Sequence, residues 1–231
     1  MRTAIITGAS RGIGFSTARA FADKGWRIIN LSRSKLAQFD AHNILVDLAS
    51  PGWESGCRDQ LLDVLGHCER ICLVHNAGRA EGGSVFDATP EALQATLQIN
   101  LLTPFRLSQV VRPALTPGSS ILFVGSTLAE KAVAGYSPYI VSKHALVGLM
   151  RSTCQDLIGT GIHTACVCPG FVDTPMLRER CDEAWLTKIR RQIAQGRLLD
   201  PDEIARLLLF CAENPAVNGS VLHANLGQVE R

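Results

Sequence analysis

Several features typical of other classes of protein are missing from this sequence of 231 residues. No apolar run approaches the ~20 residues that cross a bilayer, and the opening residues MRTAIIT run directly into a strand pattern, which leaves no room for a signal peptide. The 23 lysines and arginines are scattered and the net charge is only +2, so no cationic stripe is available for nucleic acid or lipid. We therefore expect a cytoplasmic protein with no nucleic-acid partner and no membrane contact.

Metal-ligand spacings are also missing, because none of the eight cysteines belongs to a CxxC pair. Cys166 and Cys168 form a C-x-C inside a strand-like run, which places both side chains on one face. A zinc site or a redox pair is one interpretation, and reduced thiols that fill core space are the other. Without a matching ligand spacing or a secretory signal, we expect reduced thiols and no bound metal.

The sequence does contain an alternation of short apolar runs and helix-length segments. Seven runs without polar alternation predict strands buried on both faces, at 4–6, 28–31, 44–46, 71–74, 121–124, 164–167 and 221–224. Helical patterns occupy 13–21, 90–112, 137–158 and 201–213. The pattern predicts one α/β domain over 1–231, with a doubly wound, mostly parallel sheet and helices on both faces. The charged segment of about 171–198 is expected to cover the substrate.

A glycine-rich loop over residues 7–14 follows the first predicted strand and opens the first helix. Gly8 permits the tight turn, Gly12 lets the backbone approach a pyrophosphate, and Gly14 lets helix and strand pack closely. The helix N-terminus then offers unpaired N–H groups to the phosphates. A turn that binds nothing is the alternative, but the strand–turn–helix context favours a dinucleotide site.

The end of the second predicted strand indicates which dinucleotide is bound. NAD sites usually have a carboxylate here for the ribose hydroxyls, but this chain has Ser32 followed by Arg33. A guanidinium can pair with a 2′-phosphate, and Arg11 in the glycine loop could reach the same phosphate. Two solvated surface arginines are the alternative; we expect NADP(H) to be preferred over NAD(H). Asp47 and Leu48, after the third strand, are expected to flank the adenine.

Tyr139 and Lys143 are four residues apart and share one face of a predicted helix. A tyrosine with an ordinary pKa of about 10 is a poor acid–base catalyst near neutrality, but an adjacent ammonium stabilises its phenolate. Ser126 follows a strand and could bond the substrate oxygen. Pro104 cannot donate to the carbonyl of Asn100, so we expect a bend there that frees this carbonyl, for instance for a water that passes protons to Lys143. A surface ion pair and a simple kink are the alternatives.

These residues resemble the short-chain dehydrogenase/reductase family over nearly the whole chain. Residues 7–14 are similar to its TGxxxGxG loop, 75–78 (HNAG) to its NNAG motif, 169–174 (PGFVDT) to its PG motif, and 201–205 to the start of its late helix. The resemblance implies that Tyr139 is the acid–base and that Ser126 orients the substrate oxygen. It further implies that Lys143 and Asn100 feed a proton relay.

The resemblance also implies an α/β fold with a doubly wound Rossmann-type parallel sheet of about seven strands and helices on both faces, together with the cofactor contacts and an oligomer. The residues expected at the cofactor are Gly8, Ser10, Arg11, Gly12, Ile13, Gly14, Ser32, Arg33, Asp47, Leu48, Asn76, Ala77, Gly78, Tyr139, Lys143, Pro169, Gly170, Val172 and Thr174. Many members pair through the two helices that carry Asn100 and Tyr139, so a homodimer or homotetramer is expected. His75 departs from the motif and is expected to be a hydrogen-bonded structural residue. Residues 218–227 lack the usual paired glycines, and the chain is short between 34 and 60.

The function that follows is an NADP(H)-dependent oxidoreductase that acts on a small-molecule carbonyl or alcohol substrate. The apolar residues expected to line its pocket, with two glycines, are Gly82, Gly83, Leu128, Phe171, Met176, Leu177 and Trp185. A non-catalytic protein that binds or senses NADP(H) on the same fold is the alternative from another class. Epimerisation or dehydration at the same site is a third, although the chain lacks the extra C-terminal substrate domain of the sugar-modifying branch.

Overall fold

Seven parallel strands form one sheet in the computed structural model, which describes residues 1–66 and 68–228. The sheet order is β3-β2-β1-β4-β5-β6-β7. The strands are β1 Arg2–Thr7, β2 Arg27–Ser32, β3 His42–Leu45, β4 Arg70–His75, β5 Ser120–Val124, β6 His163–Pro169 and β7 Ser220–Ala224. The doubly wound fold class is confirmed, and all seven predicted strands are present. The third begins two residues earlier than the pattern indicated and ends one residue earlier.

Helices cover both faces of the sheet. They are α1 Gly12–Asp23, α2 Trp53–Leu65, α3 Pro90–Leu97, α4 Thr103–Val111, α5 Ser137–Asp156, α6 Pro175–Arg178, α7 Glu183–Arg190 and α8 Pro201–Glu213. One buried cluster packs α2, α4 and α5 against residues such as Ile5, Leu73 and Phe123. The other packs α1 and α8 against residues such as Ile6 and Leu122 on the opposite face. Because both faces are covered, the strands carry apolar residues at successive positions.

The single helix predicted over 90–112 is interrupted. A π-helical turn, Gln98–Leu102, separates α3 from α4, and the N–H of Thr103 donates to the carbonyl of Gln98, five residues back. Pro104 lies in the first turn of α4, where its missing N–H is tolerated. The expected irregularity near Asn100 is therefore a π turn, a feature often found at functional sites.

The sheet topology determines where a site can form. All strands run in the same direction, so their carboxyl ends meet at one edge, and the strand order reverses between β1 and β4. Ligands of doubly wound sheets bind in the crevice at such a reversal. Within the described residues, no helix is both long and apolar enough to cross a membrane.

Candidate active site

A cavity of about 1260 Å³ lies along this carboxyl edge. The predicted site residues on its wall are Gly8, Ser10, Arg11, Gly12, Ile13, Ser32, Arg33, Asp47, Leu48, Asn76, Ala77, Gly78, Ser126, Tyr139, Lys143, Pro169, Gly170, Val172 and Thr174. Of the predicted catalytic and cofactor-binding residues, Gly14 and Asn100 lie off the wall, and both contact residues that line it. One concave space therefore collects residues that the chain separates by more than 160 positions.

The glycine loop has the backbone that an anion site needs. Gly8 and Gly12 adopt φ values of 70° and 58°, which side chains other than glycine rarely allow. The N-cap of α1 is Arg11, whose side chain makes no capping bond, and the first turn of α1 contains no acidic residue. The first N–H groups of α1 are therefore left without a side-chain acceptor and face the cavity edge, where a phosphate can accept from them.

Gly14 allows the loop to pack against the neighbouring strand. A Cβ at this position would overlap the carbonyl oxygen of Gly8 and come within 2.5 Å of Nδ2 of Asn76. That same Nδ2 donates to the carbonyls of Thr7 (2.9 Å) and Gly8 (3.3 Å). Thr7 Oγ1 in turn accepts from the N–H groups of Asn76 and Ala77, at 2.9 Å each. The HNAG segment thus joins the ends of β1 and β4 and holds the loop at the cavity.

Two arginines flank the corner where the nucleotide ribose is expected. Arg33 is exposed on the cavity wall, and none of the described residues forms an ion pair with it. Ser32 is buried and donates its hydroxyl to the carbonyl of Ser34 at 2.6 Å. Arg11 instead pairs with Glu179, with 2.7 Å between Nη1 and Oε1. Arg33 is therefore the available cation in this corner, while Arg11 is engaged by the segment opposite.

Asp47 and Leu48 line the cavity after β3, at the end where the adenine is expected. The Asp47 carboxylate accepts from the N–H of Ala49 at 3.1 Å, which stabilises the turn after β3. Leu48 is buried, and its carbonyl accepts from the hydroxyl of Thr103 at 2.7 Å. These bonds set the backbone of the turn relative to α4, so the wall is built by residues from two distant parts of the chain.

Tyr139 and Lys143 share one face of α5, as their spacing predicted. Lys143 Nζ lies 5.6 Å from the centroid of the Tyr139 ring and donates to the carbonyl of Val124 at 2.8 Å. Only 5% of Lys143 is exposed, so the ammonium is held between the helix and the end of β5. The hydrogen bond to the Val124 carbonyl fixes the position of the Lys143 ammonium, so its positive charge lies beside Tyr139.

Ser126 follows β5 at the same edge. Its hydroxyl accepts from the N–H of Leu128 at 3.1 Å and begins the short 3₁₀ turn Thr127–Ala129. The hydroxyl hydrogen remains available to an acceptor in the cavity. Ser126, Tyr139 and Lys143 therefore present a hydroxyl, a phenol and an ammonium to one space.

Asn100 acts behind this wall through its side chain. Its Oδ1 accepts from the N–H of Arg79 at 2.8 Å, and its Nδ2 donates to the Arg79 carbonyl and to Ser142 Oγ, both at 2.9 Å. The hydroxyl of Ser142 donates a hydrogen bond to the carbonyl of Tyr139 at 2.7 Å. This network ties the π turn to the loop after β4 and to α5. Sequence reasoning considered only the backbone carbonyl of Asn100 and missed these bonds.

His75 lies at the end of β4 and is buried. Its Nε2 lies 2.9 Å from Ser108 Oγ and its ring packs 4.9 Å from that of Phe123. Burial lowers the pKa of His75 to about 3, so the imidazole is neutral near pH 7. The hydrogen bond matches the structural role expected for this substitution in the motif.

Five of the seven residues that were predicted to line the substrate pocket do line the cavity. Leu128, Phe171, Met176, Leu177 and Trp185 line it, and the rings of Phe171 and Trp185 meet edge to face at 5.4 Å. Gly82 and Gly83 do not line it, which corrects that expectation. The N–H of Gly83 donates to the Gly135 carbonyl at 2.7 Å instead, so the loop supports the start of α5.

Several residues that line the cavity were missed from the sequence, namely Arg79, Lys131, Tyr136, Arg180, Arg191 and Gln228. Tyr136 lines the same space as Tyr139, although Ile140 and not a lysine follows it four residues later. Nothing in the local pattern marks these positions. They come together because α6, α7 and the loop before α5 fold over the sheet edge.

Comparisons with known proteins agree with this geometry. The family model described as Enoyl-(Acyl carrier protein) reductase matches residues 8–228. A putative ketoacyl reductase of the monensin polyketide synthase from Streptomyces virginiae is 33% identical, over 94% of this chain and 92% of that protein. The 3-oxoacyl-[acyl-carrier-protein] reductase FabG of Vibrio cholerae is 29% identical, over 98% and 96%. A crystal structure of a short chain dehydrogenase from Burkholderia cenocepacia in complex with NADP is 30% identical, covers 98% and 97%, and has a TM-score of 0.88.

Proposed function

This chain belongs to the short-chain dehydrogenase/reductase family and is an oxidoreductase, and we propose that it transfers hydride between NADP(H) and a carbonyl or secondary alcohol carbon, with Tyr139 as the acid–base. The observation that carries the proposal is that Ser126, Tyr139 and Lys143 face the same cavity as an uncapped glycine-rich helix start. A nucleotide-binding end and a proton-transfer end are thus within one space.

The phosphate end supports a dinucleotide with a 2′-phosphate. The uncapped N-terminus of α1 offers N–H donors, and the positive end of the helix dipole favours an anion there. Arg33 carries a cation without a described partner at the end of β2, where no carboxylate repels a phosphate. We infer that NADP(H) is preferred over NAD(H). The nicotinamide, when bound, supplies or accepts the hydride.

The end of the cavity that contains Ser126, Tyr139 and Lys143 transfers the proton. In the reduction direction, Tyr139 gives its phenolic proton to the carbonyl oxygen, while Ser126 donates a hydrogen bond to the same oxygen. Lys143 stabilises the phenolate that remains, because its ammonium is buried beside the ring. Asn100 holds Arg79 and Ser142 in place and so positions the start of α5. When the enzyme oxidises an alcohol, the same residues act in the opposite sense, and the Tyr139 phenolate accepts the proton of the substrate hydroxyl.

The substrate is proposed to be a small carbonyl compound with an apolar portion. Leu128, Phe171, Leu177 and Trp185 supply an apolar wall near Tyr139. The relatives from Streptomyces virginiae and Vibrio cholerae are named for ketoacyl and 3-oxoacyl substrates. A 3-oxoacyl thioester, acetoacetyl-coenzyme A, is therefore the first compound to test, followed by simple aromatic ketones.

We also propose the domain organisation, the location and the oligomeric state of this protein. We take residues 1–231 as one domain whose segment of about 171–198 covers the substrate, in a cytoplasmic protein. A homodimer or homotetramer is supported by apolar side chains exposed on the two helices that flank the site, Phe105 and Val141, each 47% exposed.

The proposal is tested by titrating the protein with NADPH and NADH and then assaying reduction of acetoacetyl-coenzyme A and aromatic ketones. We expect micromolar NADPH binding, weaker NADH binding and turnover with NADPH. Tyr139→Phe should lower kcat by about 10²–10⁴-fold and leave NADPH binding in place. Tyr136→Phe is the matched control, because it removes the same hydroxyl from the same cavity wall at the chain's only other tyrosine.

Each other result has a distinct meaning. Full turnover in Tyr139→Phe would show that the acid–base is assigned wrongly. Cofactor binding without turnover on every carbonyl compound would favour the non-catalytic NADP(H)-binding alternative. Binding of neither cofactor would refute the dinucleotide site itself.

A further inference from the structure

Two cysteine sulfurs lie together beneath the proposed active site. Cys166 and Cys168 are on the same face of β6, and their Sγ atoms are 3.8 Å apart. Both side chains are fully buried and both are free thiols. The C-x-C spacing accounts for the shared face, since residues two apart in a strand point the same way. Neither thiol has a part in the hydride-transfer chemistry proposed above.

The backbone above these sulfurs belongs to the catalytic turn. A Cβ at Gly125 would lie 2.6 Å from Cys168 Sγ and 2.8 Å from Cys166 Sγ, so only glycine fits between the sulfurs and the turn. Gly125 and Ser126 also line the cavity. The backbone N–H of Ser126 lies near Cys168 and lowers the pKa of its thiol. The Gly125–Ser126 backbone thus separates the cavity from the two sulfurs, so a peroxide must displace this turn to reach them, and movement of either sulfur presses on Gly125.

The surroundings give the two thiols different chemistry. The pKa of Cys168 is lowered by the hydrogen bond from Cys166, and further by the N–H of Ser126 and the charge of Lys143. The pKa of Cys166 is raised well above its usual range, because the thiol shares a hydrogen bond with Cys168 and is buried. The thiolate is the reactive form of cysteine. Cys168 is thus suited to attack, and Cys166 to resolve the product.

We propose that Cys166 and Cys168 are an oxidation site, at which a hydroperoxide closes an intrachain disulfide that reversibly inactivates the enzyme. The Cys168 thiolate attacks the terminal peroxide oxygen; the O–O bond breaks, and the released alkoxide or hydroxide takes a proton. The resulting sulfenic acid is then attacked by Cys166 sulfur, which forms the S–S bond and releases water. Overall, two thiols lose two electrons and two protons, and the peroxide is reduced to water and, from an alkyl hydroperoxide, an alcohol.

The expected consequence follows from the distances. Disulfide formation brings the sulfurs from 3.8 Å to about 2.05 Å, so both side chains rotate and Cys168 Sγ moves relative to the N–H of Ser126. Ser126 then shifts relative to Tyr139. A displacement of about 1 Å at a catalytic group can lower turnover by about 100-fold. This effect on turnover rests on the proposed function, whereas formation of the disulfide does not.

The test treats the purified full chain with hydrogen peroxide, blocks the remaining thiols under denaturing conditions and maps the peptides by mass spectrometry. We expect two of the eight thiols to disappear, with a bond between Cys166 and Cys168, and dithiothreitol to restore both. Cys168→Ala and Cys166→Ala should each abolish the bond. Cys154→Ala is the matched control, because Cys154 lies in the same tryptic peptide and is outside the pair, and it should still lose two thiols.

Activity on acetoacetyl-coenzyme A is measured on the same samples. Oxidation should lower the turnover of the wild-type protein by about tenfold to 100-fold, and dithiothreitol should restore it. Loss of thiols at other cysteines, or addition of oxygen to Cys168 without a disulfide, would overturn the proposal. Because these outcomes are mapped in the wild-type protein, they can be decided even if a variant does not fold. A disulfide in a protein that has no reductase activity before treatment would refute the proposed function and leave the oxidation site standing. A disulfide that leaves turnover unchanged would refute the switch.

Discussion

Arg11 Nη1 lies 2.7 Å from Glu179 Oε1, so an ion pair joins the glycine-rich loop to the segment that follows α6. The two residues are 168 positions apart, and both line the cavity. The pair is half exposed, with 56% and 59% of the two side chains accessible, so its own contribution to stability is small. Its importance lies in where the carboxylate is placed, beside the proposed phosphate site.

Glu179→Gln should therefore bind NADPH about twofold to fivefold more tightly than the wild-type protein. The change removes a negative charge near the phosphates and frees the Arg11 guanidinium to pair with one of them. Fluorescence titration at low salt measures the effect, and added salt should reduce it. Glu213→Gln, which breaks the Arg2 ion pair away from the cavity, is the control and should bind NADPH like the wild type. Weaker binding in Glu179→Gln would mean that the ion pair supports the bound state.

Arg33→Asp should lower the ratio of NADPH affinity to NADH affinity by about tenfold to 100-fold. The substitution removes a charge-assisted bond to the 2′-phosphate and places a carboxylate where NAD sites have one. Side-by-side titrations measure the ratio. Lys35→Asp makes the same change of charge two residues away, outside the cavity wall, and should change the ratio much less. An unchanged ratio in Arg33→Asp would refute the role proposed for this arginine.

Gly14→Ala should destabilise the protein by about 1–3 kcal/mol and weaken NADPH binding. The added Cβ would overlap the Gly8 carbonyl and press on Asn76 Nδ2, which holds the loop to β4. Urea unfolding and NADPH titration test the two effects. Gly148→Ala is the matched control, because a Cβ there meets nothing within 4 Å and the residue lies inside α5. It should be neutral or stabilising by up to about 1 kcal/mol. Equal stability of the two variants would show that Gly14 has room for a side chain.

Glu203 should make the stability of the protein depend on pH in the acid range. Its carboxylate accepts from Arg197 at 2.7 and 2.8 Å and from the N–H of Asp200 at 2.9 Å. These bonds lower the pKa of Glu203 to about 2. Because the folded pKa is below the unfolded value of about 4.3, the stabilisation is present above pH 4.3 and is lost as the pH falls towards 2.

Glu203→Gln should accordingly reduce the free energy of unfolding near pH 7 by about 1 kcal/mol, since it removes the charge-assisted bonds from Arg197 while a glutamine can still accept from the N–H of Asp200 in the capping box of α8. Below pH 4.5 the free energies of unfolding of the variant and the wild type should become more alike, because Glu203 of the wild type becomes protonated. Urea unfolding at several pH values measures both. A difference that stays constant over this pH range would show that Glu203 contributes through its shape and not its charge.

Local patterns were enough to predict most of the framework. Buried strands, the start of α8 and the shared face of Tyr139 and Lys143 depend on neighbours within a few residues, so periodicity and capping residues reveal them. The glycine loop could also be predicted, because its conformation and the start of α1 depend on consecutive residues of the chain. The interruption of α3 and α4 was foreseen only as a bend, because Pro104 shows that an N–H is missing but not how the turn widens.

Sequence alone determined the order of the strands, the helices α1, α5 and α8, the motif residues and the absence of a carboxylate after β2, since these depend on residue type and local spacing. It did not predict α2, α6 or α7. Tertiary structure alone decided that Glu179 engages Arg11, that Asn100 bonds Arg79 and Ser142, and that Gly125 lies over two sulfurs. Each of these contacts joins residues more than 20 positions apart through the crossing of strands and helices. Hydrogen bonds and ion pairs form over about 3 Å, so only the folded arrangement of the sheet edge determines which distant partners come within that range.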